Sequence, residues 1–256
     1  MKNKKELTKI ISAFMLGDGC LRVWNNRPKL NAAYSFSQTE DHKDYVDYQV
    51  SILEELTSVK SYYYPPSVKD GITRKGFYKI ESKSHPFFQT LRERWYHDGK
   101  KTISLHDLKQ LDFEMLAIWY MDDGYILRSE NKYHKGNVFL CTDAYTHTEV
   151  VMLQKIIYTN VGVAMDVRRR GQKKDGSQIY RLVARNEQSK LFLDGVAPYM
   201  FPSFSYKLHT ENPDKSGDDI VCSLQECKED SRNDYPGNAV TKEVQNNPLE
   251  IGKLVV

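Results

Sequence analysis

A chain of 256 residues that is 40% apolar and 28% charged is long enough to bury one large core or two small ones, and too apolar to be disordered. Its longest apolar runs, such as 10–16, fall well short of the ~20 residues a bilayer-spanning helix needs, and no apolar stretch with a small-residue cleavage site follows the basic segment 1–9, so an intracellular protein with no membrane contact is expected. The formal net charge of +3 hides an asymmetry: residues 211–256 hold 10 acids against 5 bases, which leaves 32 bases against 24 acids, a net +8, on residues 1–210.

In chain order, helical spacing predicts a helix over 5–16, strands over 21–25 and 32–37, a helix over 41–57 with Asp41 as its amino-terminal cap, strands over 59–64 and 76–80, and a helix over 86–96 opened by His85-Pro86. Lys69-Asp70-Gly71 reads as a turn, and Tyr62–Tyr64 as core or sheet-edge packing. The order then repeats. A helix over 113–121 is followed by strands near 125–127 and over 138–142, a helix over 146–159, strands over 164–170 and 178–184 around the Lys174-Asp175-Gly176 turn, and a helix over 187–196. The expected fold is therefore α+β, αββαββα twice. The expected units are a first half over 1–105, a second over 106–210 and an acidic, linker-like tail over 211–256.

The first helix of each half ends in an acidic glycine turn, ISAFMLGDG over 11–19 and LAIWYMDDG over 116–124, which places Asp18 and Asp123 105 residues apart. Further polar residues recur at matching distances. Gln38 and Asp143 each lie 20 residues beyond their aspartate, and Lys101 and Lys207 lie 83 and 84 beyond. Gly19 and Gly124 suit a left-handed helix end that leaves carbonyls unpaired, so partial negative charge gathers there and a carboxylate adds a full charge. Small residues Ala13, Gly17 and Ala117 would let the two helices approach until the aspartates share one space. Paired carboxylates need divalent cations, and two metal-bound carboxylates on one phosphate suit phosphodiester hydrolysis, with the lysines stabilising developing charge or activating water.

These motifs resemble the LAGLIDADG homing endonucleases, over roughly residues 5–210, and most of all the single-chain, two-motif members encoded in mobile introns. The resemblance implies Asp18 and Asp123 as metal-binding aspartates, with Mg²⁺ as cofactor and Mn²⁺ able to substitute, and the motif's seventh residues Gly17 and Asp122 facing the metal through their backbone carbonyls. It implies Lys101 (in GKKTIS) and Lys207 (in SYKLHT) as basic active-site residues, and Gln38 and Asp143 as groups ordering metal-bound water. It further implies a monomer whose two four-stranded antiparallel sheets form a saddle over a long DNA duplex, cutting both strands with short 3′ overhangs. Its setting would be the cytoplasm of a bacterial or phage-infected cell, or an organelle such as the mitochondrion. Ala13 against Ile118 and Gly17 against Asp122 break the symmetry, so the target need not be palindromic.

Basic segments interleaved with tyrosine and asparagine point independently to nucleic acid. Candidate DNA contacts are Arg22, Trp24, Asn26, Arg27, Lys29, Tyr34, Arg74, Lys75, Arg128, Lys132, Lys135, Arg168, Arg170, Lys173, Lys174 and Arg181. Those on strands would reach base edges and those in loops would meet phosphates. Three other readings stand beside this one. An RNA maturase would bind intron RNA with or without cutting DNA, yet has no need of both aspartates and both lysines. A reverse-transcriptase Tyr-Met-Asp-Asp hairpin leaves the first motif unexplained, and a transcription regulator predicts an added DNA-binding module. Four cysteines (Cys20, Cys141, Cys222, Cys227) are too scattered for a disulfide framework, and neither they nor the seven histidines (His42, His85, His97, His106, His134, His147, His209) form a complete metal spacing.

Overall fold

The computed structural model describes residues 2–23, 31–69, 71–127 and 136–208. Helix α1 (Lys4–Leu16) opens with a capping box, the Asn3 side chain accepting from the Lys5 and Glu6 N–H groups while Glu6 accepts from the Asn3 N–H. It leads to β1 (Cys20–Arg22), β2 (Ala33–Thr39), a 3-10 turn (Glu40–His42), α2 (Lys43–Glu54), β3 (Val59–Tyr64), a hairpin of β4 (Ser67–Lys69) and β5 (Ile72–Arg74), β6 (Phe77–Ser82) and α3 (Pro86–Trp95). A small hairpin, β7 (Tyr96–His97) with β8 (Lys100–Lys101), and the short α4 (Leu105–Leu108) connect to α5 (Phe113–Asp123). There follow β9 (Gly124–Leu127), β10 (Asn137–Cys141), α6 (His147–Val161), β11 (Asp166–Gln172), β12 (Gln178–Ala184), α7 (Glu187–Val196) and the 3-10 helices Ala197–Tyr199 and Pro202–Lys207.

The strands form two four-stranded antiparallel sheets, ordered β1-β2-β6-β3 and β11-β12-β10-β9. Neither closes on itself, and together they give the saddle-like, duplicated αββαββα arrangement. Alternation assigns the faces. Tyr34, Phe36 and Ile80 in one sheet, and Val138, Leu140 and Leu182 in the other, are buried against the helices. The opposite rows carry Lys60, Phe77 and Lys79 in the first sheet, and Leu127, Phe139 and Arg168 in the second.

Helices α1 and α5 pack side by side between the sheets. Residues Met115–Met121 of α5 are all buried, which is why this stretch is apolar on every side rather than amphipathic. At the far end of the pair, Lys9 binds Asp112 (2.5 Å) and Glu114 (2.6 Å). The bulkier Ile118, opposite in kind to Ala13, is accommodated: both are buried in this contact region, at 2% and 0% exposure. The halves are also stitched crosswise. The 3-10 helix Pro202–Lys207 lies on α2, with Ser203 donating to Asp44 through N–H and hydroxyl, and Phe201 and Phe204 packing on Tyr45. Glu149 of α6 accepts from the Ile103 N–H, and within the second half Asn160 donates to the Lys109 and Leu111 carbonyls.

Two expectations need correction, and a third is filled out. Asp41 does not cap α2: it lies inside the 3-10 turn, its carboxylate takes the Lys75 ammonium at 2.7 Å, and α2 starts after His42 without a side-chain cap. The turn chemistry read at 69–71 stands, between two short paired strands, β4 and β5, that the periodicity did not show. Gly19 and Gly124 are not left-handed, since neither has positive φ. They are glycine for lack of space: a Cβ on Gly19 would stand 2.5 Å from the Phe14 carbonyl oxygen, and one on Gly124 would stand 1.9 Å from the Tyr120 ring.

Candidate active site and nucleic-acid interface

The paired ends of α1 and α5 bring Asp18, Asp122 and Asp123 together with Lys101 and Lys207. The packing is tight enough that a Cβ on Gly17 would lie 2.3 Å from Asp122 Oδ2. That same oxygen accepts from the Asp18 N–H at 3.4 Å, so the second helix reaches across to the first motif's turn. The buried Tyr45 hydroxyl stands beside the Asp122 carboxyl.

The two lysines sit on the helix ends. Lys101 Nζ donates to the Gly17 carbonyl at 2.7 Å and the Gly19 carbonyl at 2.9 Å, bracketing Asp18. Lys207 Nζ donates to the Met121 carbonyl at 2.7 Å and the Tyr120 carbonyl at 3.1 Å, while the Tyr120 hydroxyl returns a bond to the Lys207 carbonyl at 2.8 Å. Each ammonium thus neutralises a helix carboxyl terminus, where the macrodipole concentrates negative charge. The β7–β8 hairpin delivers Lys101, and the 3-10 helix on α2 delivers Lys207. Behind Lys101, buried Asp107 accepts from Trp95 Nε1 (2.8 Å), Arg94 Nε (2.9 Å) and the Ser104 hydroxyl (2.7 Å), tying α3 to the segment after the hairpin. The Tyr145 hydroxyl reaches the Leu16 carbonyl at 3.3 Å. Nothing in the motif offsets pointed to Asp107 or Tyr145, because Asp107 meets Trp95 and Arg94 12 and 13 residues away and Tyr145 meets Leu16 129 residues away.

Electrostatically the site is under-compensated. Burial lifts the Asp18 carboxyl above its ordinary value, against the pull of Lys101 and Lys207. Burial, then the charges of Asp18 and Asp123, push Asp122 well up. Burial also lowers both lysines, Lys207 to about 8, despite the carboxylates around them. Asp18 and Asp123, beside a buried Asp122 whose charged form is disfavoured and two reluctant ammonium groups, offer hard oxygen donors of the kind a divalent cation takes. Among the described residues no group of three or more His, Cys, Asp or Glu side chains makes a complete metal cage. Phosphate and water oxygens would have to complete one.

The other expected site residues fare unequally. The 20-residue spacing that matched Gln38 with Asp143 does not survive the strand register. Ser37 pairs with Lys79, and Cys141 with Arg181, so the counterpart of Asp143 is Thr39. The connection between the first two strands is one residue longer in the first half, with Cys20 opposite Ser35 but Tyr125 opposite Phe139. Gln38 consequently stands on the Tyr34–Phe36 row, where its Oε1 accepts from the Thr39 N–H at 2.9 Å. Asp143 is bound bidentately by Arg181, at 2.9 and 2.8 Å. Gln38 and Asp143 are therefore not matched in register.

Of the expected DNA contacts, Tyr34 is a correction: it is 1% exposed, and its hydroxyl donates to Gln49 at 2.7 Å within the core. Arg181 is likewise committed, to Asp143 and to the Tyr125 hydroxyl, with its side chain 14% exposed. Arg22, Arg74, Lys75, Arg168, Arg170 and Lys174 are exposed, and Lys173 is half-buried. Arg168 contacts Asp166, and Arg170 is the extra residue where the β11–β12 register shifts. Trp24, Asn26, Arg27, Lys29, Arg128, Lys132 and Lys135 lie outside the described residues, as does the tail 211–256.

Two apposed helices, each ending in an aspartate and capped by a lysine, between two open antiparallel sheets, match the description of one family over most of the chain: the LAGLIDADG DNA endonuclease family, whose model covers residues 8–192. The chain belongs to the LAGLIDADG family. Among curated proteins it is similar to the protein RecA of Mycobacterium gastri, 27% identical over 206 residues, which cover 78% of this chain and 46% of that one. It is also similar to the cytochrome b mRNA maturase bI2 of Debaryomyces hansenii, 23% identical over 209 residues, or 80% of this chain and 74% of that one. The chain spans about half the length of the RecA proteins it matches. Among solved structures, the homing endonuclease I-WcaI bound to its DNA recognition sequence superposes with a TM-score of 0.66 at 20% identity, over 83% of this chain and 89% of that one, which shows the shared fold. This LAGLIDADG protein carries both motifs on a single chain.

Proposed function

We propose that this LAGLIDADG protein is a site-specific double-strand DNA endonuclease acting on a long, asymmetric target and leaving 3′ overhangs. The observation that carries this reading is the convergence of Asp18 and Asp123 with Lys101 and Lys207 at one pair of helix ends. The residues suited to hold a divalent cation, Mg²⁺ with Mn²⁺ as substitute, are Asp18 and Asp123, both partly exposed. The Gly17 carbonyl already accepts from Lys101, so it has one lone pair left for such a role. A bound cation would polarise the scissile phosphate and lower the pKa of a coordinated water.

The chain's own groups supply the rest. Lys101 and Lys207 place positive charge beside the position where negative charge grows on the phosphate, in surroundings dry enough to strengthen it. The exposed Arg22, Arg74, Lys75, Arg168, Arg170 and Lys174, with Lys173, bind backbone phosphates or base edges along the duplex and fix the site over the scissile bonds. Arg181 and Asp143 neutralise each other and act as one rigid unit on the sheet. A second reading, binding to intron RNA in support of splicing, is supported by the similarity to a protein described as an mRNA maturase. In that reading the lysine-capped aspartates would be spectators.

The test is Asp18→Asn and Asp123→Asn, assayed with Mg²⁺ on a duplex target recovered from a randomised library by cleavage selection. Each variant should lose double-strand cutting by at least about 10³-fold while duplex binding in Ca²⁺ is retained. Cleavage by either variant at near wild-type rate would overturn the assignment.

A further inference from the structure

We propose that the Asp122 side chain is a positioning residue for Asp18, holding the first motif's turn from across the helix interface, so that the two strand cuts respond unequally to its loss. The proposal rests on the endonuclease reading above.

The two aspartates are anchored by different means. Helix α5 runs through Asp123, and the Gly124 N–H still bonds to the Tyr120 carbonyl, so the helix itself fixes Asp123. Helix α1 stops at Leu16, leaving Asp18 beyond its last turn. There the Asp18 N–H donates to Asp122 Oδ2 at 3.4 Å, the Gly17 and Gly19 carbonyls accept from Lys101, and the Gly19 N–H reaches the Phe14 carbonyl at 2.9 Å. Lys207 instead takes carbonyls one turn back inside α5, those of Tyr120 and Met121. The position equivalent to Asp122 in the first motif is Gly17, which has no side chain to return the hold. Asp122 therefore steadies Asp18 through the Asp18 N–H.

The reach is short and the fit close. A Cβ on Gly17 would lie 2.5 Å from Asp122 Cβ as well as 2.3 Å from Oδ2, so the carboxylate lies flat along the Gly17 backbone. Removing it would free the Gly17–Gly19 turn to move without unfolding α5. A displacement of about 1 Å in a catalytic group costs up to about 100-fold in rate.

The experiment uses Asp122→Ala and the near-isosteric Asp122→Asn, which keeps an oxygen acceptor for the Asp18 N–H. The substrate is a supercoiled plasmid carrying a selected target, with each strand's cleavage followed by its own end label. Asp122→Ala should change the ratio of the two strand rates by about tenfold or more and accumulate nicked circles, while Asp122→Asn keeps a ratio within about threefold of wild type. Equal slowing of both strands, or an unchanged ratio in Asp122→Ala, would overturn the proposal. Hydrogen–deuterium exchange provides a readout independent of cutting: the Asp18 amide should exchange at least about tenfold faster in Asp122→Ala, with the β9 amides unchanged. Unaltered exchange at Asp18 refutes the hold itself. A wild-type protein that cuts no duplex, yet shows the exchange difference, would refute the endonuclease reading and leave the hold standing.

Discussion

Replacing Gly17 by alanine adds one methyl group at the point where the two motifs meet. The new Cβ would fall 2.3 Å from Asp122 Oδ2, 2.5 Å from its Cβ and 2.8 Å from its Cγ, all well inside contact distance. The carboxylate oxygen could swing aside, but Asp122 Cβ is fixed to α5, so relief requires the helices to separate. Overpacking of this kind typically costs 1–3 kcal/mol; with the clash involving a backbone-anchored atom, about 2–3 kcal/mol is expected. For a chain of this size that corresponds to a fall in Tm of roughly 5–10 °C. The decisive measurement is a double-mutant cycle by urea denaturation. In an Asp122→Gly background the obstruction is gone, so Gly17→Ala should cost no more than about 0.5 kcal/mol, giving a coupling of about 2 kcal/mol. If the two backgrounds lose the same stability, or if Gly17→Ala alone costs less than about 0.5 kcal/mol, the contact between the motifs is not what requires glycine at this position.

Two further outcomes are expected. His42 stacks on Phe204 with centroids 3.8 Å apart, and burial, then Lys207, depresses its imidazole to about 4. A folded-state value below the unfolded one means that the unfolded chain binds more protons between about pH 4 and 6.5, so this contribution is complete above about pH 6.5 and is lost as pH falls towards 4. Because the ring is only half-buried, solvent screening reduces the ideal figure to about 1–2 kcal/mol, and His42→Gln should flatten the pH dependence of urea midpoints by that amount. Arg181→Ala and Arg170→Ala should have opposite effects. Losing Arg181 strands a buried Asp143 and should cost about 3–5 kcal/mol of stability, with little change in the salt dependence of duplex binding. Losing exposed Arg170 should leave stability unchanged within about 0.5 kcal/mol and reduce the salt slope by about 1, as measured by fluorescence anisotropy.

Local order was legible because its causes are local. The β3, β12 and α7 boundaries follow from alternation and helical spacing within a single stretch of chain, and they stand where those patterns put them. Asp41 was misassigned because a capping residue is recognised by type, whereas its carboxylate is claimed by Lys75, 34 residues away. The match of Gln38 with Asp143 shows the same limit in the site. Equal distance along the chain became unequal register once one connection was a residue longer, and a shift of one residue turns a strand's side chain to the other face.

By itself the sequence determined the duplication, the αββαββα order and the six residues from which a catalytic pair could be drawn, because motif spacing and periodicity are written into a single dimension. Tertiary structure alone decided which of those residues meet. It put Tyr34 inside rather than on DNA, since its hydroxyl found Gln49 in the core, and it spent the Arg181 charge on Asp143. It also gave Gly17 and Asp122, 105 residues apart in sequence, a single shared space, in which the absence of one side chain is filled by the presence of the other. Contacts between distant segments depend on how the helices pack, and packing is fixed by the whole core rather than by the residues that happen to line the site.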